Sequence, residues 1–236
     1  MRIVVNHLTR MQRGYICIAG INLDTGHHVR PIPENDRPRR THLVDHGGPF
    51  DIAAVVDLGR ASHVGHVPEM EDYRFNPRRA RRVDTVAPQE FWALLKSVSH
   101  QSLAAIFGDD LTQHGGSCTV DVGMGRASLG CLLPSQRPVL HINDQGKIRL
   151  RLADGIYTVW LSVTDLRLYK DDQVTPRREL VGQIAARIAR GAGVIVAVGL
   201  SRPWQKLDDT VERHWLQVNN IHLEDDPAWQ ERALPV

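Results

Sequence analysis

The stretch GYICIAGINLDTGHHVRPI, residues 14–32, ends in His27, His28 and Arg30. An imidazole can ligate a metal, move a proton or stack on a base. A guanidinium forks onto phosphate or pairs with a carboxylate. Arg30 is therefore read in two ways. It is a phosphate or base contact with His28 stacking beside it, or it is a structural cation paired with a carboxylate across a barrel. A denser set of cations is NPRRARR, with Arg78, Arg79, Arg81 and Arg82, close to Tyr73 and Phe75 of EDYRF. Cations beside aromatic rings suit single-stranded nucleic acid, which needs phosphate neutralisation and base stacking. The opposing reading is a solvated loop balanced by Glu69, Glu71 and Asp72. RPRR at 37–40 is a further basic loop of the same kind. Lys147, Arg149 and Arg151 alternate with apolar residues and put three cations on one face of a strand. Small barrels bind oligonucleotides on such a face, although an ordinary solvated strand shows the same alternation.

Metal and catalytic patterns are weaker. His42 and His46 are four apart with Asp45 between them, and His63 and His66 are three apart. Such pairs share a face only on a helix, and residues 42–46 lie in a stretch bounded by proline and glycine. His27 and His28 are strand neighbours and point to opposite faces. No metal-ligand set and no cofactor are assigned from these spacings. The three cysteines, Cys17, Cys118 and Cys131, include no CxxC pair, and a reducing, cytoplasmic compartment is expected. GxSxG and GxxxxGK[ST] are absent, and GMGRASLG departs from the dinucleotide pattern. Asp57, Ser62 and His63 in VDLGRASHVGH could serve hydrolysis only if the fold assembled them. Asp171–Asp172 and Asp208–Asp209 are acidic pairs in loops. A nuclease wants acids beside a basic groove, often with a lysine. Of the 29 basic residues here only four are lysine, and no PD…ExK spacing occurs.

These side chains must be carried by a fold. The chain has 236 residues, enough for one large or two small domains. No apolar run approaches the roughly 20 residues that span a bilayer. The opening MRIVVNHLTR reads as a short strand and lacks the parts of a secretion signal. The arginine excess suits nucleic acid, and a GC-rich genome would produce it as well. The net charge is only +2, but eight of the twelve histidines lie in the first 100 residues.

Strands are predicted over 2–9 and 14–22, the second apolar on both faces and therefore central. The LDTG turn leads to HHVRPI, where Pro31 predicts an edge strand or a strand end. Residues 33–50 and the polar HVGHVPEMEDYRFNPRRARRVD read as loops, with a strand at DIAAVVDLGRA between them. Helices are predicted near 88–98 and 177–190. SLGCLLP, IRLRLA, the run from Tyr157 to Val163, VIVAVGLS and HWLQVNNIHLE read as strands, and the tail after Asp226 as peripheral. Many short strands with two clear helices predict a mainly β protein of two small barrels rather than a parallel α/β sheet. The flexible TQHGGS sets the boundary near 115, giving units 1–115 and 116–236 that could share strands.

The order GYICIAGINLDTGHHVRP, HVPEMEDYRF, SLGCLLP, IRLRLADGIYTVWLSVTDLRLY and VIVAVGLS…HWLQVNNIHLE resembles the bacterial dual OB-containing domain family. That family's hairpin reads G-x-C-V-A-G followed by W-x-R-P. This chain keeps Gly14, Cys17, Ala19, Gly20, Arg30 and Pro31 and has His28 where tryptophan is usual. The late Y-x-l-x-V-T-D element matches Tyr157, Val163, Thr164 and Asp165. The resemblance implies two OB-like barrels with two or three accessory helices, and nucleic-acid binding by fold analogy. It supplies no catalytic residues.

The resulting expectation is a cytoplasmic module for single-stranded DNA or RNA, with no catalytic activity of its own and no membrane partner. Its binding residues would be His28, Arg30, Tyr73, Arg78, Arg79, Arg149 and Arg151. One alternative is a metal-dependent hydrolase or a nucleotide or small-ligand sensor using His27, His28, His42, His46, His63 and His66. Another is a protein-interaction scaffold presenting the region of Trp204, Trp215 and Trp229, at least some of which should belong to the core.

Overall fold

RIVVNHLTR forms β1 (Arg2–Arg10), and every side chain from Ile3 to Thr9 is buried. The computed structural model that shows this describes residues 1–206 and 209–230. β2 (Ile16–Asn22) runs antiparallel to β1, and a Cβ on Gly20 would stand 2.6 Å from the Val4 carbonyl oxygen. Only glycine lets the two backbones approach so closely there. Gly26 takes φ +73° and donates its N–H to the Asn22 carbonyl, closing the turn into β3 (His28–Pro33).

The first sheet is completed by β4 (Ala54–Asp57), β5 (Ala61–His63), β6 (Asp72–Phe75) and β7 (Arg81–Thr85), in the order β5-β6-β3-β2-β1-β4-β7. β3 is thus inside the sheet, where Pro31 predicted an edge. Its ladder to β2 holds only Val29 and His28, and from Arg30 onward it pairs in parallel with β6. The N–H that proline lacks falls where β2 offers no partner. The stretch read as a polar loop, residues 63–84, also gains structure, because β5 ends at its first residue, β6 lies in it and β7 begins in it. Proline and charge masked these strands. They are short, and every residue of β7 is exposed.

α1 (Pro88–Ser97) buries Phe91 and Leu95 in the core of this first sheet. Then β8 (Ser99–His100) and α2 (Leu103–Phe107) join the second core, followed by β9 (Thr112–His114) and β10 (Ser117–Asp121). The chain therefore leaves the first sheet before Ser99, ahead of the boundary near 115 suggested by the flexible TQHGGS.

The second sheet runs β12 (Val139–Ile142), β13 (Ile148–Ala153), β14 (Thr158–Val163), β16 (Arg213–Leu223), β15 (Val194–Leu200), β11 (Leu129–Leu132) and β8. β10 pairs with β16 and β9 off this path. α3 (Arg178–Ala189) lays Leu180, Val181, Ile184 and Ile188 on the second core. The tail read as peripheral reaches inside: Trp229 is 1% exposed, donates to the Ile221 carbonyl and carries the Arg167 guanidinium 3.7 Å above its ring.

The two sheets meet along β1 and β16. Leu8 N–H donates to Asn220 Oδ1 at 2.7 Å, and His222 Nε2 lies 3.0 Å from the Asn6 carbonyl. Cys131, Ile195 and Ala197 of the second sheet belong to the first core. A bulge in β1 between Val5 and His7 interrupts the regular alternation of its side chains.

Candidate functional site

Two surfaces and one interior seam gather the residues of interest. The alternation in β13 buries Ile148, Leu150 and Leu152 and turns Arg149 and Arg151 outward. The same alternation in β14 buries Val159, Leu161 and Val163 and turns Thr158, Trp160 and Ser162 outward. Antiparallel register sets Arg151 opposite Trp160 and Arg149 opposite Ser162, with His141 of β12 opposite Arg149. Residues so paired share a face. Trp160 is 42% exposed, and the His141 ring meets its edge at 4.9 Å. Arg149 donates to Ser162 Oγ at 2.6 Å.

Lys206 extends this face. Its ammonium lies 3.2 Å from the Trp215 ring centroid, and Trp204 beside it is 46% exposed. Burial lowers the Lys206 pKa, and the nearby Arg149 charge adds to the effect. Of the three tryptophans considered for a protein surface, only Trp204 is outside. Trp215 and Trp229 are buried.

On the first sheet, Arg78 and Arg79 occupy an exposed 3-10 turn that leads into Arg81 and Arg82 of β7. Arg78, Arg79 and Arg82 have no carboxylate partner among the described residues, and Arg81 reaches Asp57 at 3.6 Å. The acids expected to balance this run are spent elsewhere. Tyr73 is half-buried, with its ring 5.0 Å from that of His63.

Arg30 is 5% exposed. Its Nε donates to Asp72 Oδ1 at 2.5 Å and its NH2 to Ser128 Oγ at 3.1 Å. Ser128 Oγ donates onward to Glu71, whose other oxygen accepts the Ser128 and Leu129 backbone N–H groups. Arg202 bonds Asp72 at 2.7 Å and Glu69 at 3.0 Å. Glu69, Glu71 and Asp72 thus serve a buried network that ties β3 and β6 to β11 and to the end of β15. The structural reading of Arg30 describes its position.

His28 lies at another part of the same seam. Its Nε2 is 3.7 Å from Cys131 Sγ, and Asn6 Nδ2 is 3.3 Å from both atoms. The His7 ring stands edge-on to His28 at 5.3 Å. The bulge in β1 lets the neighbours Asn6 and His7 both approach this cluster. His7, His28 and Cys131 form the only trio of potential metal ligands gathered among the described residues. Burial holds the His7 pKa well below the usual range, with the His28 charge second, and lowers His28 to about 4. Burial pushes the Cys131 thiol up to about 12.

The histidines suggested by spacing are held elsewhere. His42 bonds Arg39, His46 accepts from Arg40, His63 bonds the Met70 carbonyl and His66 approaches Glu69. Asp171 pairs with Arg40, Asp172 caps its own turn through Thr175, and Asp208 lies outside the described residues.

The family model of the dual OB-containing domain matches residues 1–221. The chain belongs to this family. No curated protein and no solved structure matches it. The dual OB assignment accords with the two curled sheets, and no helix among the described residues is long and apolar enough to cross a membrane. The dual OB motif residues fall mainly inside. Arg30, Val163, Thr164 and Asp165 are all buried, and Asp165 pairs with Arg167 at 2.8 Å. Trp160, in contrast, is absent from the expected site residues. The alternation that put Tyr157, Val159, Leu161 and Val163 on one face places Trp160 on the other, so the signal was present.

Proposed function

We propose that this dual OB protein binds single-stranded DNA or RNA across the outer face of β12, β13 and β14, without a catalytic step of its own. One observation carries the reading: an exposed indole, Trp160, stands opposite Arg151 and beside Arg149 and His141 on one sheet face. Trp160 offers a platform for a base, and the two guanidiniums offer phosphate contacts. Burying such an indole on a base is worth roughly 1–3 kcal/mol, whereas each arginine adds a salt-sensitive term. Arg78 and Arg79 form a second basic surface with no compensating acid, and Tyr73 lies near it in sequence. They would extend the contact with the backbone. Arg30 and His28 support binding indirectly, by holding the two barrels in register.

The experiment is fluorescence anisotropy with labelled single-stranded DNA, single-stranded RNA and duplex DNA at two salt concentrations. Binding to one single strand that weakens with salt and weakens again in Trp160→Ala, by about 1–3 kcal/mol, supports the reading. Absence of binding to all three at micromolar protein sinks it.

A further inference from the structure

The seam cluster has the dimensions of a coordination shell. Tetrahedral zinc, with nitrogen and oxygen ligands at about 2.0–2.2 Å and sulfur near 2.3 Å, holds its ligand atoms roughly 3.3–3.7 Å apart. The separations between the Asn6 amide, His28 Nε2 and Cys131 Sγ are 3.3, 3.3 and 3.7 Å. The ligand atoms of His7, His28 and Cys131 all lie within 4.8 Å of one another. A further atom points to a missing occupant. His7 is fully buried, and its Nδ1 lies 3.1 Å from the Asn219 amide while Nε2 has no partner. Asn6 Oδ1 is also buried without a partner. A cluster held by hydrogen bonds alone leaves His7 Nε2 unsatisfied, which native interiors rarely tolerate. A half-turn of the Asn6 amide would put Oδ1 where Nδ2 stands. A cation at the centre would then satisfy Oδ1, both imidazoles and the thiolate together.

We propose that Asn6, His7, His28 and Cys131 form a binding site for zinc or a similar borderline-soft divalent cation. Two imidazoles and one thiolate match that class of metal, and the amide oxygen fills the remaining position. Asn219 at Nδ1 orients the His7 ring, as the outer partners of metal-bound histidines do. Binding releases the Cys131 thiol proton to solvent and forms the Cys131 sulfur–metal bond. His28, half-buried, leaves an entry route from the surface. Asn6 and His7 belong to β1, His28 to β3 and Cys131 to β11, so the ion clamps the first sheet to the second. The role is structural and independent of the nucleic-acid face.

The test is a cobalt(II) titration of chelator-treated full-length protein, followed by displacement with zinc. The expected result is one equivalent per chain, with a thiolate-to-cobalt charge-transfer absorption that zinc abolishes. The band persists in the Cys17→Ser, Cys118→Ser variant and disappears in Cys131→Ser and in His7→Gln, whose circular dichroism matches the parent. A parent protein without the band overturns the site, as does a band that survives in Cys131→Ser. Should the Cys131 variant fail to fold, loss of the band in the Cys17→Ser, Cys118→Ser protein overturns it instead.

Discussion

The seam between the two sheets and the outer face of β12–β14 are built from the same kinds of side chain and use them in opposite ways. In the seam, Arg30 meets Asp72 away from water, the part-exposed Arg202 closes over the buried Asp72 and Glu69, and His7 and His28 are held neutral beside a thiol. On the outer face, Arg151 and Trp160 stand in solvent with no acid opposite them. Residue type alone therefore does not mark a binding arginine. What marks it is whether its charge has been satisfied inside the protein. A buried, fully paired arginine contributes to register and specificity, whereas an exposed, uncompensated one is available to phosphate.

The largest expected effect breaks the seam. Arg30→Ala should lower stability by about 3 kcal/mol, because it leaves part of the Asp72 charge buried without its closest partner. Urea denaturation reads the loss, and binding per folded molecule should stay near the parent's. Unchanged stability with a tenfold loss of affinity would reverse the two regions' roles.

Trp160→Ala attacks the other side of the comparison. It should cost about 1–3 kcal/mol of single-strand affinity while shifting unfolding by less than about 0.5 kcal/mol. An equal loss in both measurements would make Trp160 a structural residue.

Acid titration separates the regions next. His7 and His28 have folded-state pKa values below the ordinary 6.5, His28 at about 4. As pH falls from about 6.5 towards 4, the unfolded chain takes up protons first, so the metal-free protein loses stability through that window and is level above it. The loss should be about 1–2 kcal/mol, since solvent reaching His28 screens part of the shift. Thermal melts in chelator at pH 7 and pH 5 measure it. A midpoint that does not move would show that the seam imidazoles are not held neutral by burial.

The smallest effect is the most diagnostic of phosphate binding. Replacing Arg149 and Arg151 by alanine should reduce the slope of log affinity against log salt by about one unit for each phosphate no longer neutralised. A parallel displacement with the same slope would mean that these arginines act by packing alone.

Local pattern carried much of this protein. The period-two alternation in β13 and β14 identifies the exposed face, and the stripes at 88–98 and 177–190 match α1 and α3 within a residue or two. These features follow from side chains close in sequence, whose periodicity records which face meets water. The same rule exposes Trp160. Short strands fared worse: β5 is too brief, and β6 and β7 too brief and too charged, to show alternation, and they form because neighbouring strands accept their hydrogen bonds.

Arg30 could be stated from sequence only as a choice between phosphate and carboxylate. Parallel pairing of β3 with β6 decides it, by setting Asp72 directly opposite and away from water. The seam cluster lay further out of reach. His7, His28 and Cys131 come from strands of two sheets, with more than a hundred residues between His28 and Cys131. No spacing rule relates them, and the β1 bulge that aims two neighbours at one point breaks the alternation on which a sequence reading depends. Periodicity is a property of one strand at a time. The pairing of distant charges and ligands is a property of the assembled core.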